Sequence, residues 1–318
     1  MTEKVKHTAI AGISIEFGYY PVRCEIDADE FSIRTLTDHD ETVSLIESEE
    51  NVIRDWIYPG EHKTLDFMNG KIQSLPYSGR IFGLPKTHLL TLHKSDSRDK
   101  LDFLVWCISF FVGMRLTTTE AGFLDATPIK PRKLVDFSVR QKSLVEAVQI
   151  SLNYFEREHE DHLATKRVTA VIHALYLAQY PQNLPFESFQ YLYMALDSCF
   201  KLLAVKEGPK LRVPHANRIH WMCEKFEINT PEWAIRQSGE SEVANVRNGA
   251  IHEALFFGEP LGFSIYGGND KVYGSQNVIL QMRALICRLL VAILGQSQSS
   301  YVRSPMNNRI TQPLELKA

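Results

Sequence analysis

The sequence predicts an α+β protein in which a strand-rich front precedes a helical back. Residues 8–94 hold short runs rich in β-branched and aromatic side chains, and turns with Gly, Pro or polar residues separate them. From residue 138 onward nearly every segment has the 3.6-residue apolar period of a helix. Between these parts, residues 117–136 combine a run of threonines with Pro128 and Pro131, which predicts a linker.

In the front part, we expect strands at 8–20, 22–26, 31–36 and 42–46, arranged as an antiparallel sheet or sandwich. Residues 95–97 supply N-cap chemistry for a helix over 98–115, and its long apolar stretch predicts burial. His88 and His93 have no clustered partners in the sequence pattern. Residues 1–136 are therefore predicted to form a β-rich domain with one buried helix.

The helical part is predicted to be a bundle over residues 137–296, with Ser138 and Gln141 forming a capping box at its start. A short turn is expected at 230–232, a hairpin at 263–273, and a polar tail that frays over 297–318. The predicted helices are 139–158, 162–180, 186–205, 214–226, 240–256 and 276–295.

Composition restricts the class of function. The 318 residues, 44% of them hydrophobic, suffice for two domains and are too apolar for a disordered chain. A net charge of -3 argues against a protein that coats nucleic acid or binds membranes through a polybasic surface.

The five cysteines include no CxxC pair, and the N-terminus lacks a secretory core, so we expect a cytoplasmic protein. Arg283 and Arg288 interrupt the most apolar helix and argue against a membrane span.

The sharpest motif is Arg247, Asn248 and His252 on the helix predicted over 240–256. Asn248 and His252 lie four residues apart and share a helix face, whereas Arg247 is displaced from His252 by about 140° around the axis. Two copies of this helix across a two-fold axis could bring all three groups into one cleft. The offset therefore predicts a homodimer with its site at the interface.

These residue types suit cleavage of an RNA phosphodiester. A guanidinium group grips a phosphate through two hydrogen bonds, and an imidazole takes or gives a proton near neutral pH. The 2'-hydroxyl group of RNA is an internal nucleophile, so the reaction needs no metal in principle.

Arg247, Asn248 and His252 resemble the signature of the HEPN superfamily, an arginine followed by a polar residue and then, after a short spacer, a histidine. The resemblance covers about 138–295, where the helix with Tyr191 to Asp197 is similar to the long apolar helix of such bundles. A β-rich front before this bundle is similar in layout to the ApeA-like group of bacterial anti-phage proteins.

The resemblance implies a homodimeric, metal-independent endoribonuclease without a cofactor, active against phage or as a toxin-like RNase. A trigger of phage or other origin would act on the front domain. Many such bundles carry a supporting acidic residue in an early helix, and Asp197, Glu187 or neither could have that role here. The alternative is a dimeric module that binds nucleotide or RNA as a sensor without cleaving it.

A basic stretch over 201–220 is the best candidate for a surface that contacts RNA phosphates. A solvated basic loop is the alternative reading of the same stretch. Acidic residues beside His159 and His162 suggest a metal site, but a charged helix end explains them better. The RNA-binding candidates in the basic stretch are Lys206, Lys210, Arg212 and Arg218.

Overall fold

The computed structural model of the chain describes residues 12–75, 80–208, 211–235, 241–252, 278–306 and 310–317. It confirms the α+β class, because β-sheets occupy the front of the chain and helices the back. The chain divides into two compact units, of which the first comprises 1–109 and 114–131, and the second 110–113 and 132–318. The division falls between 131 and 132, whereas the sequence placed the boundary at 136.

The first unit is built around a four-stranded antiparallel sheet in the order β1-β9-β3-β2. It has two inner strands, β9 and β3. Leu90 of β9 lies opposite Ile15 of β1 and Ile33 of β3, and all three are buried. Alternate residues of each strand therefore form one core face. The strands of this sheet are β1 (Ile13–Phe17), β2 (Ile26–Asp27), β3 (Phe31–Thr35) and β9 (His88–Leu92).

Short antiparallel ladders complete the first unit. One is a hairpin of β6 and β7, and Gly70 at its turn has φ +66°, a conformation that glycine adopts without a Cβ penalty. The others pair β10 with β8, and β5 with both β11 and β4. Their bounds are β4 (Val52–Ile53), β5 (Trp56–Ile57), β6 (His62–Asp66), β7 (Lys71–Leu75), β8 (Ile81–Phe82), β10 (Phe123–Leu124) and β11 (Thr127–Pro128).

The predicted strand at 42–46 is wrong, because these residues belong to helix α1 (His39–Glu47). Asp40 and Glu41 occupy its first turn, where negative charge favours the positive end of a helix. His39 and Ile46, seven residues apart, are its buried side chains, which is helical and not strand spacing.

The prediction that His88 lacks clustered partners is also wrong. Its ring is fully buried and lies 5.4 Å from the ring of His39 and 5.5 Å from that of Tyr20, measured between centroids. Its Nδ1 lies 2.9 Å from Oγ1 of Thr87. Burial, followed by the neighbouring His39, lowers the pKa of His88 to about 4.

The helix predicted over 98–115 is confirmed as α2 (Arg98–Val112). Ser97 begins it as predicted, since its Oγ accepts a hydrogen bond from the backbone N–H of Lys100 at 3.2 Å. Gly113 follows with φ +66°, and a Cβ there would lie 2.6 Å from Val135, so the helix ends where only glycine fits.

Each predicted helix of the second unit has a counterpart, although the first and the fourth begin about four to five residues later than expected. Ser138 lies in a short strand and α3 follows the 3₁₀ turn Gln141–Ser143, so the predicted capping box is wrong. The segment that starts at 214 begins with the 3₁₀ turn His215–Asn217. The helices are α3 (Leu144–Arg157), α4 (His162–Leu177), α5 (Pro185–Ala204), α6 (Arg218–Lys225), α7 (Glu242–His252) and α8 (Val278–Val291).

The core of the second unit lies between α4, α5 and α8, which pack on one another. In the described part of the chain one helix, Val278–Gln296, is long and apolar enough to cross a membrane, and 72% of its most apolar window is buried inside the protein. Core helices of soluble proteins share this pattern. Arg288 donates to Asp136 at 2.7 Å, and Arg283 donates to the carbonyl oxygen of Lys133 at 3.0 Å. Both arginines thus join α8 to the start of the unit.

The C-terminal residues do not fray as predicted. Strand β13 (Gln312–Pro313) pairs in parallel with β12 (Phe137–Ser138), and Leu314 and Leu316 are buried beyond it. The alternation of these two leucines with polar residues is the pattern of a half-buried strand, which the polar composition of the segment conceals. The short turn expected at 230–232 is confirmed as the 3₁₀ turn Glu232–Ala234, while the hairpin expected at 263–273 lies outside the described residues.

Candidate functional site

Helix α7 carries the Arg-Asn-His motif. Arg247 is half-buried, Asn248 is exposed, and Nη1 of Arg247 donates to Oδ1 of Asn248 at 2.9 Å. His252 is the last residue of α7, and its side chain lies outside the described atoms. Because Asn248 accepts from the guanidinium, its amide fixes how Arg247 presents its remaining N–H groups.

Tyr193 of α5 lies beneath this arginine. The guanidinium carbon of Arg247 lies 5.9 Å from the centre of the Tyr193 ring, within the range of a cation–π contact. Burial, followed by the charge of Asp197, raises the pKa of Tyr193 to about 12, whereas Arg247 and Arg218 act in the opposite direction. The phenol is therefore neutral at pH 7, and it offers Arg247 a ring face instead of a charge.

Asp197 stands one helical turn after Tyr193 on α5. Its Oδ1 accepts a hydrogen bond from Nη1 of Arg218 at 2.9 Å and lies 4.0 Å from Nδ1 of His215. The guanidinium of Arg218 also lies 4.6 Å from the centre of the Phe200 ring, and only 16% of its side chain is exposed. Asp197 thus anchors the beginning of α6 to the middle of α5.

His215 completes the group from the 3₁₀ turn before α6. Its Nδ1 lies 3.5 Å from Oη of Tyr193. Burial is the largest cause that lowers its pKa, and Arg218 is the next, with Asp197 acting in the opposite direction. The imidazole is therefore neutral at pH 7 and able to accept a proton.

We call these six residues the arginine–histidine cluster. They come from three segments that are distant in sequence, and the fold brings them together because α7 packs against the turn at 215–217. Val243 and Ala244 are the buried side chains that hold the start of α7. The members are Tyr193, Asp197, His215, Arg218, Arg247 and Asn248.

The two acidic candidates have different positions. Oε2 of Glu187 accepts a hydrogen bond from the backbone N–H of Leu184 at 2.8 Å, which caps the beginning of α5. Asp197 lies inside the arginine–histidine cluster. Of the two acidic candidates, Asp197 is therefore the one that lies within reach of Arg218 and His215.

The predicted RNA-binding residues occupy different settings. Nζ of Lys206 lies 2.5 Å from Glu158, which follows α3, so this cation is already paired. Arg212 is exposed on the extended segment that precedes His215, and Lys210 lies outside the described residues. Arg218 belongs to the cluster and not to an open surface, since its charge is paired with Asp197.

Tyr193 and His215 are site residues to which sequence reasoning assigned no role. A signal for Tyr193 existed in its spacing, because Tyr193 and Asp197 are four residues apart on one predicted helix. His215 was visible only as one of two histidines in the basic stretch. Its contact with Tyr193 depends on tertiary packing, which no local pattern reveals.

Nothing in the described residues forms a group of three His, Cys, Asp or Glu side chains that could hold a metal ion. A cavity of about 210 Å³ lies elsewhere in the second unit, lined by residues 229–232, 281 and 305–306, none of which belongs to the cluster. No family model, curated protein or solved structure matches the chain.

Proposed function

We propose that the protein is a metal-independent endoribonuclease of the HEPN type, which acts in the cytoplasm against phage or as a toxin-like RNase. The observation that carries the proposal is the arginine–histidine cluster. In it, Arg247 donates to Asn248 and acts electrostatically on the imidazole of His215, whose pKa is lowered from its usual value by burial first and then by Arg218 and Arg247, against the opposing effect of Asp197.

The local charge favours an anionic substrate. Three cations, Arg218, Arg247 and Lys201, act on His215, and one carboxylate, Asp197, opposes them. The chain as a whole carries a charge of -3, so this positive field is a local feature. A phosphodiester entering such a site would gain charge-assisted hydrogen bonds from a planar guanidinium.

The reaction follows from the groups in the motif. Arg247 stabilises charge on the scissile phosphate, Asn248 orients it, and His252 acts as general base or general acid. The 2'-hydroxyl oxygen attacks phosphorus and the bond to the 5' oxygen breaks. The products carry 2',3'-cyclic phosphate and 5'-hydroxyl ends.

The direct test is cleavage of a short RNA by the purified protein in EDTA, with analysis of the new ends. A matched strand with a 2'-deoxy residue at the cleaved position should stay intact, because it lacks the nucleophile. Arg247→Ala and His252→Ala should each reduce kcat by roughly 10²- to 10⁴-fold, with little change in thermal stability. Asn245→Ala, an exposed change on the same helix, is the control and should leave kcat unaltered.

Full activity of His252→Ala would overturn the proposal, as would cleavage of the 2'-deoxy strand. Saturable RNA binding with an intact substrate after long incubation would favour the alternative, a sensor that binds RNA or nucleotide without cleaving it. Multiple turnover in EDTA would exclude that alternative.

We further propose that the active form is a homodimer, with the two α7 helices facing each other across the axis and the site at the interface. A fully active monomer by light scattering at assay concentration would refute this. We assign the strand-rich front to sensing of a phage or other trigger, by analogy of layout. Identical activity and regulation after deletion of residues 1–109, which all belong to the first unit, would argue against that role.

A further inference from the structure

We propose that His215 is a second acid–base residue of this site, which accepts the proton of the attacking 2'-hydroxyl group. The inference rests on the proposed function and divides the proton transfers between two histidines. His252 then has the task of protonating the leaving 5' oxygen.

The imidazole of His215 has its two ring nitrogens in different surroundings. Nδ1 of His215 faces Oη of Tyr193 at 3.5 Å and Oδ1 of Asp197 at 4.0 Å. Over the described residues, no hydrogen bond engages Nε2, and 39% of the side chain is exposed. A histidine that is oriented through one nitrogen and presents the other to solvent has the arrangement that general-base catalysis requires.

His220, a second histidine in the same basic stretch, has different surroundings from His215. His220 lies on α6, five residues after His215, and both of its ring nitrogens have partners. Nδ1 lies 3.1 Å from Oγ1 of Thr230, and Nε2 lies 3.3 Å from Oε1 of Glu224. Of these two histidines, His215 alone keeps a ring nitrogen for substrate in the described structure.

The charges around His215 favour its unprotonated form. The groups that act on the ring are Tyr193, Asp197 and Lys201 from α5, Arg218 from α6 and Arg247 from α7. Burial and the three cations lower the pKa of His215 below its usual value. At neutral pH the ring is thus unprotonated, as a base must be, and the same cations favour a phosphate beside it.

The proposed reaction moves two protons, one through each histidine. A bond forms between the 2' oxygen and phosphorus, and the 2' proton passes to Nε2 of His215. The bond between phosphorus and the 5' oxygen breaks, and that oxygen takes a proton from His252. The enzyme regains its starting state when His215 releases a proton and His252 gains one from solvent.

The test compares His215→Ala with His220→Ala in single-turnover cleavage of a short RNA in EDTA, across pH 5 to 9. We expect His215→Ala to reduce the cleavage rate by roughly 10²-fold or more, with a smaller change in RNA affinity. We also expect the acidic limb of the pH–rate profile to disappear and added imidazole to restore part of the rate. His220→Ala should retain the rate and the profile of the wild type.

The outcomes separate this inference from the proposed function. If the wild type does not cleave RNA, both fail. If the wild type cleaves RNA and His215→Ala keeps the same rate and the same acidic limb, the inference about His215 is wrong. The proposed endoribonuclease function is then unaffected. A slow His215→Ala variant without imidazole rescue and with an unchanged limb also overturns the inference, because it marks His215 as structural. If circular dichroism shows that His215→Ala is unfolded, His215→Gln is judged by the same rate and pH criteria.

Discussion

The guanidinium carbon of Arg247 on α7 lies 5.9 Å from the centre of the buried Tyr193 ring on α5. A carboxylate at this place would orient the arginine but would also cancel its charge. The ring contributes on the order of 0.5–2 kcal/mol through its quadrupole and leaves the cation with its full charge. This contact suits the phosphate-binding role that we propose for Arg247.

The contact can be tested by replacing the ring in two ways. Tyr193→Phe keeps the ring face, whereas Tyr193→Leu removes it. From the range of cation–π energies, we expect RNA cleavage by Tyr193→Leu to be about 3- to 30-fold slower than by Tyr193→Phe. The measurement is kcat for both variants in EDTA, with thermal melting to show that both are folded. Equal rates would show that the ring does not orient Arg247.

The ion pair between Asp197 and Arg218 should stabilise the second unit as well as the site. Asp197→Ala leaves Arg218, of which 16% is exposed, without its carboxylate, and we expect a loss of about 1–3 kcal/mol in the free energy of unfolding. Arg218→Met removes the buried charge while keeping most of the volume. In urea titrations, the double variant should lose less stability than the sum of the two single losses. Additive losses would mean that the pair contributes nothing to stability.

Periodicity was sufficient to predict that strands precede helices along the chain, but not every element. The run with Thr42 and Ile46 is rich in β-branched residues, which favoured a strand, and the acidic first turn and the spacing from His39 to Ile46 made it helical instead. Leu314 and Leu316 form only a short alternation, too weak a local signal to predict that they pack into a core. Both errors have one origin, since tertiary burial outweighed local propensity.

Part of the candidate site was identified from the sequence alone, because Arg247 and Asn248 belong to a motif on one predicted helix. The structure joins the side chains of these two residues, while the predicted shared face of Asn248 and His252 stays a prediction. Asp197 was one of two acidic candidates, and only the packing of α5 on the segment before α6 distinguishes it from Glu187. His215 could not be assigned because its neighbours come from three separate segments.

The buried His88 of the first unit predicts a loss of stability in mild acid. Its pKa is about 4 when folded, while an exposed histidine has a pKa near 6.5, so the unfolded chain binds more protons between these values. Stability should therefore fall as the pH drops from 6.5 toward 4. His88 alone should lower the free energy of unfolding by about 2 kcal/mol at pH 5 relative to pH 7.5.

The measurement is urea unfolding at pH 7.5 and at pH 5, monitored with a probe that reports on the first unit. Between these two pH values, the free energy of unfolding of His88→Gln should fall by about 2 kcal/mol less than that of the wild type. His93→Gln is the control, because His93 directly follows the same strand, is partly exposed and lies 3.2 Å from Oγ of Ser32. A His88→Gln variant with the pH dependence of the wild type would mean that His88 is accessible to protons in the folded state.

The C-terminal segment provides the last prediction, because the structure and the composition of the segment imply opposite results. Deleting residues 310–318 removes β13 and the side chains of Leu314 and Leu316, which are 2% and 8% exposed. Burial of each leucine contributes about 1.5–3 kcal/mol, so the deletion should lower the free energy of unfolding of the second unit by several kcal/mol. Leu314→Ala should cause part of this loss, whereas Lys317→Ala, an exposed change on the same segment, should cause little. If the deletion leaves the denaturant midpoint unchanged, the segment frays in solution and the pairing of β13 with β12 does not contribute to stability.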